Sequence, residues 1–223
     1  MNRPIRAFVF DVYGTLFDVY SVQTVCDELF PGKGESISQL WRTKQLNYFF
    51  ERHIMGRYEN FDRVTRDALR YALASHDVQA TVDEMDRLLA TYARLTPYEE
   101  VESVLIELQD HHTVILSNGT DRMLRDLMQY AGFTNRFNDI VSIDGVKQVK
   151  PSPAAYMHWF KKTDYERDEV LFLSSNGWDI AGAKNFGFRT AWMNRQHAPE
   201  EEFDLKPDAT YSDLRGILEW KTS

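Results

Sequence analysis

Four short hydrophobic runs have the pattern of parallel strands buried on both faces, because apolar residues follow one another in them without alternation. These runs are residues 7–10, 113–116, 170–173 and 190–193. Patterns typical of helices lie among the later runs, at residues 121–130, 153–161 and 178–185, and glycine or proline marks their ends. We therefore predict an α/β fold built on a doubly wound parallel sheet.

Residues 18–96 break this alternation of strands and helices. They contain no convincing strand, and long amphipathic stretches occupy residues 36–52, 60–74 and 81–92. Aromatic side chains at helical spacing are expected to form the core of this region: Trp41, Tyr48, Phe49 and Phe50. We predict an all-helical cap domain at residues 18–96, inserted after the first strand of a core domain that comprises residues 1–17 and 97–223.

Length and charge narrow the classes of protein that remain. The chain has 223 residues, more than the ~150 typical of one domain, which suits a core domain with an insert. It carries 26 basic and 34 acidic side chains and a net charge of −8, which argues against nucleic acid or an anionic membrane as the main partner. No apolar run approaches the ~20 residues that span a bilayer, and no signal-peptide core precedes Asp11. With Cys26 as the single cysteine, we expect a soluble cytoplasmic protein without disulfides or a multi-cysteine metal site.

Polar side chains follow the predicted strands at the points where those strands end. Because ligands bind beyond the carboxyl ends of the strands in open α/β sheets, these side chains are candidates for a catalytic site. They are Asp11, Thr15, Ser117, Asn118, Lys150, Asn176 and Asp179. A carboxylate among hydroxyls, amides and one lysine suits nucleophilic catalysis on an anionic substrate.

Five of these candidates also have a purely structural interpretation. Asp11 is then the cap of a turn, Ser117 and Asn118 satisfy backbone groups of a turn, Lys150 lies on the surface, and Asp179 is an acidic residue in the first turn of a helix. Their joint occurrence at successive strand ends favours the catalytic interpretation.

Several motifs resemble those of the haloacid dehalogenase superfamily, in the same order and at similar spacing. They are FDVYGTLFD at residues 10–18, LSNG at 116–119, Lys150-Pro151, and SSNGWD at 174–179. Residues 41–48, WRTKQLNY, are similar to the helix that carries the halide-binding arginine in the type II L-2-haloacid dehalogenases. The resemblance covers essentially the whole chain, and it implies the superfamily's α/β core with an inserted cap.

Tyr13 separates two branches of this superfamily. Superfamily phosphatases carry a second aspartate two positions after the nucleophile, which protonates the leaving alkoxide, and they use Mg²⁺. Here that position is Tyr13. A halide leaves without a proton, so the resemblance implies a dehalogenase that needs neither metal nor other cofactor, with Lys150 supplying the positive charge.

The resemblance also implies how the site residues act on a 2-haloacid. Asp11 is expected to displace the halide and form an ester, while Arg42 and Asn118 receive the departing halide. Ser117 and the backbone amides that begin at Val12 are expected to hold the substrate carboxylate.

Water is then expected to hydrolyse the ester at the Asp11 carbonyl carbon. Asp179 is the candidate base, and Asn176 and Lys150 organise it. Three further residues align with family positions that support these groups: Thr15, Tyr156 and Ser174. An apolar wall around the substrate is expected from Tyr13, Leu46, Phe61 and Trp178, although core packing also explains these four side chains.

The expected activity is therefore hydrolysis of short (S)-2-haloalkanoic acids, with haloacetates as further candidates, to 2-hydroxy acids and halide. The preferred halogen, the chain length and the enantiomer stay open at this point. The relatives also lead us to expect a homodimer. Two alternatives remain: a metal-dependent phosphatase of the same superfamily, and a binding module without catalysis on this fold.

Overall fold

A parallel sheet of six strands organises the protein, whose computed structural model describes residues 3–222. The strands are β1 (Ala7–Phe10), β4 (His112–Ser117), β5 (Asp139–Ser142), β6 (Val170–Ser174), β7 (Arg189–Met193) and β8 (Ala209–Tyr211), and their order across the sheet is β5-β4-β1-β6-β7-β8. Every neighbouring pair is parallel. This confirms the prediction of a doubly wound α/β fold.

The four predicted strands are β1, β4, β6 and β7, and each lies within one or two residues of its expected bounds. The sequence pattern missed β5 and β8, which form the two edges of the sheet. Most residues of these strands are only partly buried, so they lack the continuous apolar run by which the inner strands were recognised.

Alternate residues of β1 supply two hydrophobic layers, because successive side chains of a strand point to opposite faces. Phe8 and Phe10 belong to the layer under α5 (Val101–Glu107) and α6 (Asp121–Ala131), and Ala7 and Val9 belong to the other layer. That second layer lies under α7 (Pro153–Phe160) and α8 (Gly177–Phe186). With both faces covered, the polar residues that follow the inner strands collect at one edge of the sheet.

Four α-helices lie between β2 (Phe17–Asp18) and β3 (Thr96–Pro97), a short antiparallel pair at the points where the chain leaves and rejoins the core. The helices are α1 (Gln23–Leu29), α2 (Gly34–Ile54), α3 (Phe61–Ser75) and α4 (Val82–Ala90), the last followed by a 3-10 helix at Thr91–Ala93. The expectation of no strand in residues 18–96 is wrong at its two ends, because strands of two residues are too short to produce a pattern.

The aromatic residues of α2 divide by depth. Trp41 and Phe49 are fully buried, as expected for the core of a helical bundle, whereas Tyr48 and Phe50 are half-buried at its margin. Over residues 3–222, the structure offers no helix with the length and apolarity needed to cross a bilayer.

Candidate active site

Asp11 lies directly beyond the end of β1, and both oxygens of its carboxylate accept hydrogen bonds. The Lys150 ammonium is 2.9 Å from Oδ1. On the other side, Oδ2 accepts from Asn176 Nδ2 at 3.1 Å, from the Thr15 hydroxyl at 3.2 Å and from the Ser174 hydroxyl at 3.4 Å. The side chain is almost fully buried. This arrangement fixes the direction of a carboxylate nucleophile and shields it from bulk water.

Lys150 is completely buried between two carboxylates. Its ammonium donates to Asp11 at 2.9 Å, to Asp179 Oδ2 at 2.7 Å and to the backbone oxygen of Leu116 at 3.0 Å. Burial alone disfavours the charged amine, but the attraction of the two carboxylates outweighs burial and raises the pKa of Lys150. The lysine is therefore a cation at the centre of the resting site.

Asp179 occupies the first turn of α8 and is also completely buried. Tyr156 donates to its Oδ1 at 2.7 Å, and Lys150 donates to its Oδ2. Burial, assisted by the negative charge of Asp11, raises the pKa of Asp179 to about 6 even though Lys150 and Tyr156 oppose the shift. A carboxylate of this kind is a stronger base than an exposed aspartate, which suits acceptance of a proton from water.

The turn that follows Asp11 presents backbone amides at the same edge. Gly14 has φ +91°, and a Cβ there would lie 2.9 Å from the Ser175 hydroxyl, so glycine allows the chain to turn sharply at this point. Among residues 3–222, the N–H groups of Val12 and Tyr13 find no hydrogen-bond acceptor. Buried donors of this kind are normally paired, so two adjacent ones suit an anionic ligand such as a carboxylate.

Ser117 is the last residue of β4 and Asn118 follows it, and both side chains are buried. The Ser117 hydroxyl accepts from the backbone of Gly119 at 3.1 Å, which leaves its proton free to donate. Asn118 Oδ1 accepts from the backbone N–H of Lys150 at 3.0 Å, so the donating Nδ2 end of its amide faces away from that contact. Both side chains thus keep hydrogen-bond donors for a ligand.

Arg42 reaches the site from α2. One guanidinium nitrogen donates to Gln45 Oε1 at 2.7 Å, and the other lies 3.5 Å from the backbone oxygen of Tyr13, in the turn after Asp11. The residue is 8% exposed, and it forms no ion pair with a carboxylate in residues 3–222. Since a buried charge is costly without a counter-ion, this position suits binding of an anion.

A cavity of about 230 Å³ opens between α2 and the strand ends. Its lining includes Tyr13, Arg42, Leu46, Asn176 and Arg195. This volume is smaller than the ~300–1,000 Å³ of pockets for drug-sized ligands, and it suits a small organic acid.

The four residues predicted for an apolar wall divide between two positions. Tyr13 and Leu46 line the cavity, and Phe61 lies behind Tyr13 with 5.8 Å between their ring centres. Trp178 packs edge-on against Phe50 of α2, with 5.1 Å between the ring centres.

The hydroxyl of Tyr13 is buried without a hydrogen-bond partner among residues 3–222. Burial strongly raises the pKa of Tyr13, so this hydroxyl stays protonated.

The sequence interpretation missed Arg195, which follows β7 and supports the turn after Asp11. Its guanidinium donates to the backbone oxygen of Thr15 at 3.0 Å, pairs with the buried carboxylate of Glu100 at 2.6 Å and stacks on the ring of Tyr98 at 3.7 Å. The strand-end rule that identified Asp11 could have found Arg195, because it comes two residues after the end of β7.

Hydrogen bonds also join the helical insert to residues that follow the strands of the sheet. Asp62, at the start of α3, accepts from the Thr120 hydroxyl at 3.0 Å and pairs with Arg122 at 2.9 Å. Tyr58 donates to Asp144 at 2.6 Å.

Within the described part of the chain, no three His, Cys, Asp or Glu side chains come together as a set that could hold a metal ion.

Comparison with known proteins finds relatives along the whole chain. A family model described as haloacid dehalogenase-like hydrolase matches residues 5–187. The chain is 40% identical over 217 residues to the (S)-2-haloacid dehalogenase of Pseudomonas sp. strain YL, covering 96% of this chain and 94% of that one. It is 38% identical over 218 residues to haloacetate dehalogenase H-2 of Moraxella sp. strain B, covering 97% of both.

Among solved structures, the fold is similar to that of the L-2-haloacid dehalogenase from Xanthobacter autotrophicus with chloropropionic acid covalently bound. The TM-score is 0.89 at 37% identity, and the match covers 96% of this chain and 97% of that chain.

Proposed function

The chain belongs to the haloacid dehalogenase-like hydrolases, and from this premise we propose that it hydrolyses short (S)-2-haloalkanoic acids to 2-hydroxy acids and halide. Haloacetates are further candidate substrates, because a haloacetate dehalogenase is among the relatives. The observation that carries the proposal is the buried Asp11 carboxylate, which is held by Lys150 and by Asn176. Asn176 lines the same cavity as Arg42, a cation that has no carboxylate partner in residues 3–222. A carboxylate nucleophile facing a site for an anionic leaving group is what displacement of halide requires.

In the first step, a carboxylate oxygen of Asp11 attacks C2 of the substrate, and the halide leaves with the electron pair of the carbon–halogen bond. Arg42 and the Asn118 amide stabilise the halide as its charge develops. The Ser117 hydroxyl and the amides of Val12 and Tyr13 hold the substrate carboxylate. Fixing both reactants in this way can remove about 7–11 kcal/mol of the barrier.

In the second step, water adds to the carbonyl carbon of the Asp11 ester, and the 2-hydroxy acid is released. The proton of the water passes to Asp179. Both oxygens of Asp179 already accept hydrogen bonds, so the proton arrives by a relay. The Lys150 ammonium transfers one of its protons to Asp179, 2.7 Å away, and the resulting amine takes the proton of the water. Asn176, Thr15 and Ser174 hold the Asp11 oxygen that the substrate does not occupy.

Three finer features belong to the same proposal. Residues 18–96 act as a cap over a core of residues 1–17 and 97–223, supported by the β2–β3 pair at the two crossings. We also propose that the protein is cytoplasmic. We propose further that it forms a homodimer, and sedimentation of the purified protein would test this oligomeric state.

The ester is tested by one catalytic cycle in heavy-oxygen water with enzyme in excess over 2-chloropropionate. We expect the isotope in the Asp11 carboxylate and not in the first 2-hydroxy acid released. The tryptic peptide of residues 7–33 contains both Asp11 and Asp18, so the unlabelled carboxylate of Asp18 is an internal control within one fragment spectrum. Heavy oxygen in the hydroxy acid during the first cycle, with none in Asp11, would show that water attacks C2 directly and would refute the proposal.

A further inference from the structure

The partner of Arg42 is a neutral amide, although the arginine is buried. Its guanidinium donates to Gln45 Oε1 at 2.7 Å, one turn further along α2. Gln45 itself is fully buried, and no carboxylate in residues 3–222 forms an ion pair with Arg42. Other partly buried arginines pair with acids, as Arg195 does with Glu100 at 2.6 Å and Arg52 with Asp67 at 2.8 Å. Arg42, which is more deeply buried than these two arginines, has a neutral partner instead.

A chain of hydrogen bonds fixes the orientation of the Gln45 amide. The Thr65 hydroxyl donates to the backbone oxygen of Phe61 at 2.7 Å, so its only proton is used and its oxygen can only accept from Gln45. Gln45 Nε2 donates to that oxygen at 2.7 Å. The carbonyl end of the amide must then face Arg42, and the Tyr92 hydroxyl approaches the same oxygen at 3.4 Å.

All the side chains in this hydrogen-bond network are buried, so bulk water competes little for these hydrogen bonds. Burial raises the pKa of Tyr92 to about 12, which keeps its hydroxyl protonated and able to donate at neutral pH. Reversal of the Gln45 amide would place its NH₂ group against Arg42 and against the Tyr92 hydroxyl. One orientation is therefore strongly preferred.

Resting on the proposed function, we propose that Gln45 is a positioning residue that fixes Arg42 without neutralising its charge. A neutral amide oxygen holds one guanidinium nitrogen and leaves the full positive charge for the departing halide. A carboxylate at the same place would form a charge-assisted pair and compete with the halide for that charge. The role belongs to cleavage of the carbon–halogen bond, because negative charge develops on the halogen only in that step.

A purely structural role for Gln45 predicts something different. Its bond to Thr65 also connects α2 with α3. If that connection were its whole contribution, a substitution would lower stability and slow both chemical steps together. A positioning role slows ester formation alone, and more strongly for chloride than for bromide, because the poorer leaving group depends more on stabilisation of its charge.

The decisive experiment is Gln45→Glu, measured by single-turnover kinetics on 2-chloropropionate and 2-bromopropionate. We expect ester formation to slow by about 10-fold or more, toward the ~100- to 1,000-fold loss seen when an oxyanion donor is removed. Hydrolysis of the ester should be unchanged, and inhibition by added bromide should weaken. Gln39→Glu is the matched control, because Gln39 lies on the exposed face of the same helix and this substitution adds the same charge.

Thr65→Val and Thr65→Ser test the orientation of the amide without adding charge. Valine removes the acceptor for Gln45 Nε2 and should slow ester formation several-fold, whereas serine keeps the hydroxyl and should restore the rate. This pair also decides the matter if Gln45→Glu fails to fold. Equal rates for the valine and serine variants, or equal slowing of both chemical steps by Gln45→Glu, would overturn the proposal.

Arg42→Ala separates this inference from the function on which it rests. If Arg42→Ala slows ester formation and Gln45→Glu does not, the role of Gln45 is refuted while the dehalogenase function stands. If the wild-type protein releases no halide from any 2-haloacid, the proposed function itself fails.

Discussion

Replacement of Lys150 by methionine tests the charge balance at the centre of the site. Methionine is similar to lysine in length but carries no charge and donates no hydrogen bond. The change leaves Asp11 and Asp179, which lie 2.9 and 2.7 Å from the ammonium in the native protein, as two buried carboxylates without a cation. Removing one partner of a buried ion pair typically costs about 3–5 kcal/mol, because the remaining charge is uncompensated.

That cost is large against the whole stability of a protein, typically about 5–15 kcal/mol. For a chain of this size, Tm falls by ~2–4 °C for each kcal/mol of lost stability, so this cost should lower Tm by about 6–20 °C.

The loss of stability should depend on pH. Burial raises the pKa of Asp179 to about 6 in the native fold, so the folded state binds this proton more tightly than the unfolded state does. Protonated Asp179 therefore favours folding at a pH below the pKa of an unfolded aspartate, and this contribution to stability is lost as the pH rises through about 6. Lys150 lowers the pKa of Asp179 in the native protein, so without it Asp179 favours protonation more strongly. The difference in stability between variant and wild type should therefore be smaller at pH 5 than at pH 8.

Denaturant unfolding at pH 5 and pH 8, with halide release measured in parallel, tests this reasoning. Lys184→Met is the control, because it breaks a half-exposed pair with Asp208, and such pairs contribute about 0–1 kcal/mol. We expect Lys150→Met to abolish halide release and Lys184→Met to preserve it. An equal loss of stability in the two variants, or a Lys150→Met loss that does not grow with pH, would refute the charge balance described here.

Two further predictions concern Asp179 and Tyr13. The rate of ester hydrolysis in a single turnover should rise as pH increases through about 6, because burial raises the pKa of Asp179 to that value and the carboxyl group accepts a proton only when it is ionised. A flat rate profile from pH 5 to pH 7 would exclude Asp179 as the base. Tyr13→Phe removes a buried hydroxyl without a partner in residues 3–222, so the free energy of unfolding should rise by about 1 kcal/mol with turnover within a few-fold of wild type. A large loss of turnover in that variant would instead show that the hydroxyl binds substrate.

The inner strands and the strand-end residues were predictable because each leaves a local signature. A strand buried on both faces requires consecutive apolar residues, as in β6, where all five are buried. The edge strands β5 and β8 left no such signature because they are only partly covered. In the same way, Asp11 and Asn176 were identified because each follows a buried strand, whereas Arg195 was overlooked although it satisfies the same rule.

The network around Arg42 was beyond the reach of the sequence for a different reason. Gln45 and Thr65 lie on separate helices, 20 positions apart, and their contact depends on how α2 and α3 are rotated and packed against each other. In the sequence, each is an ordinary polar residue of an amphipathic helix. Only the packed structure shows that both are buried and that one of them orients the other.

By itself, the sequence determined the class of fold, the position of the helical insert and most of the residues proposed for the chemistry, since strand burial and strand-end polarity are local properties. The tertiary structure decided the electrostatics: that Lys150 lies between two carboxylates and that Arg42 is buried beside an uncharged amide. Burial and the distances between charges arise only when segments far apart in the chain pack together, and these two quantities set the pKa of a buried group and the anion that a buried cation can bind.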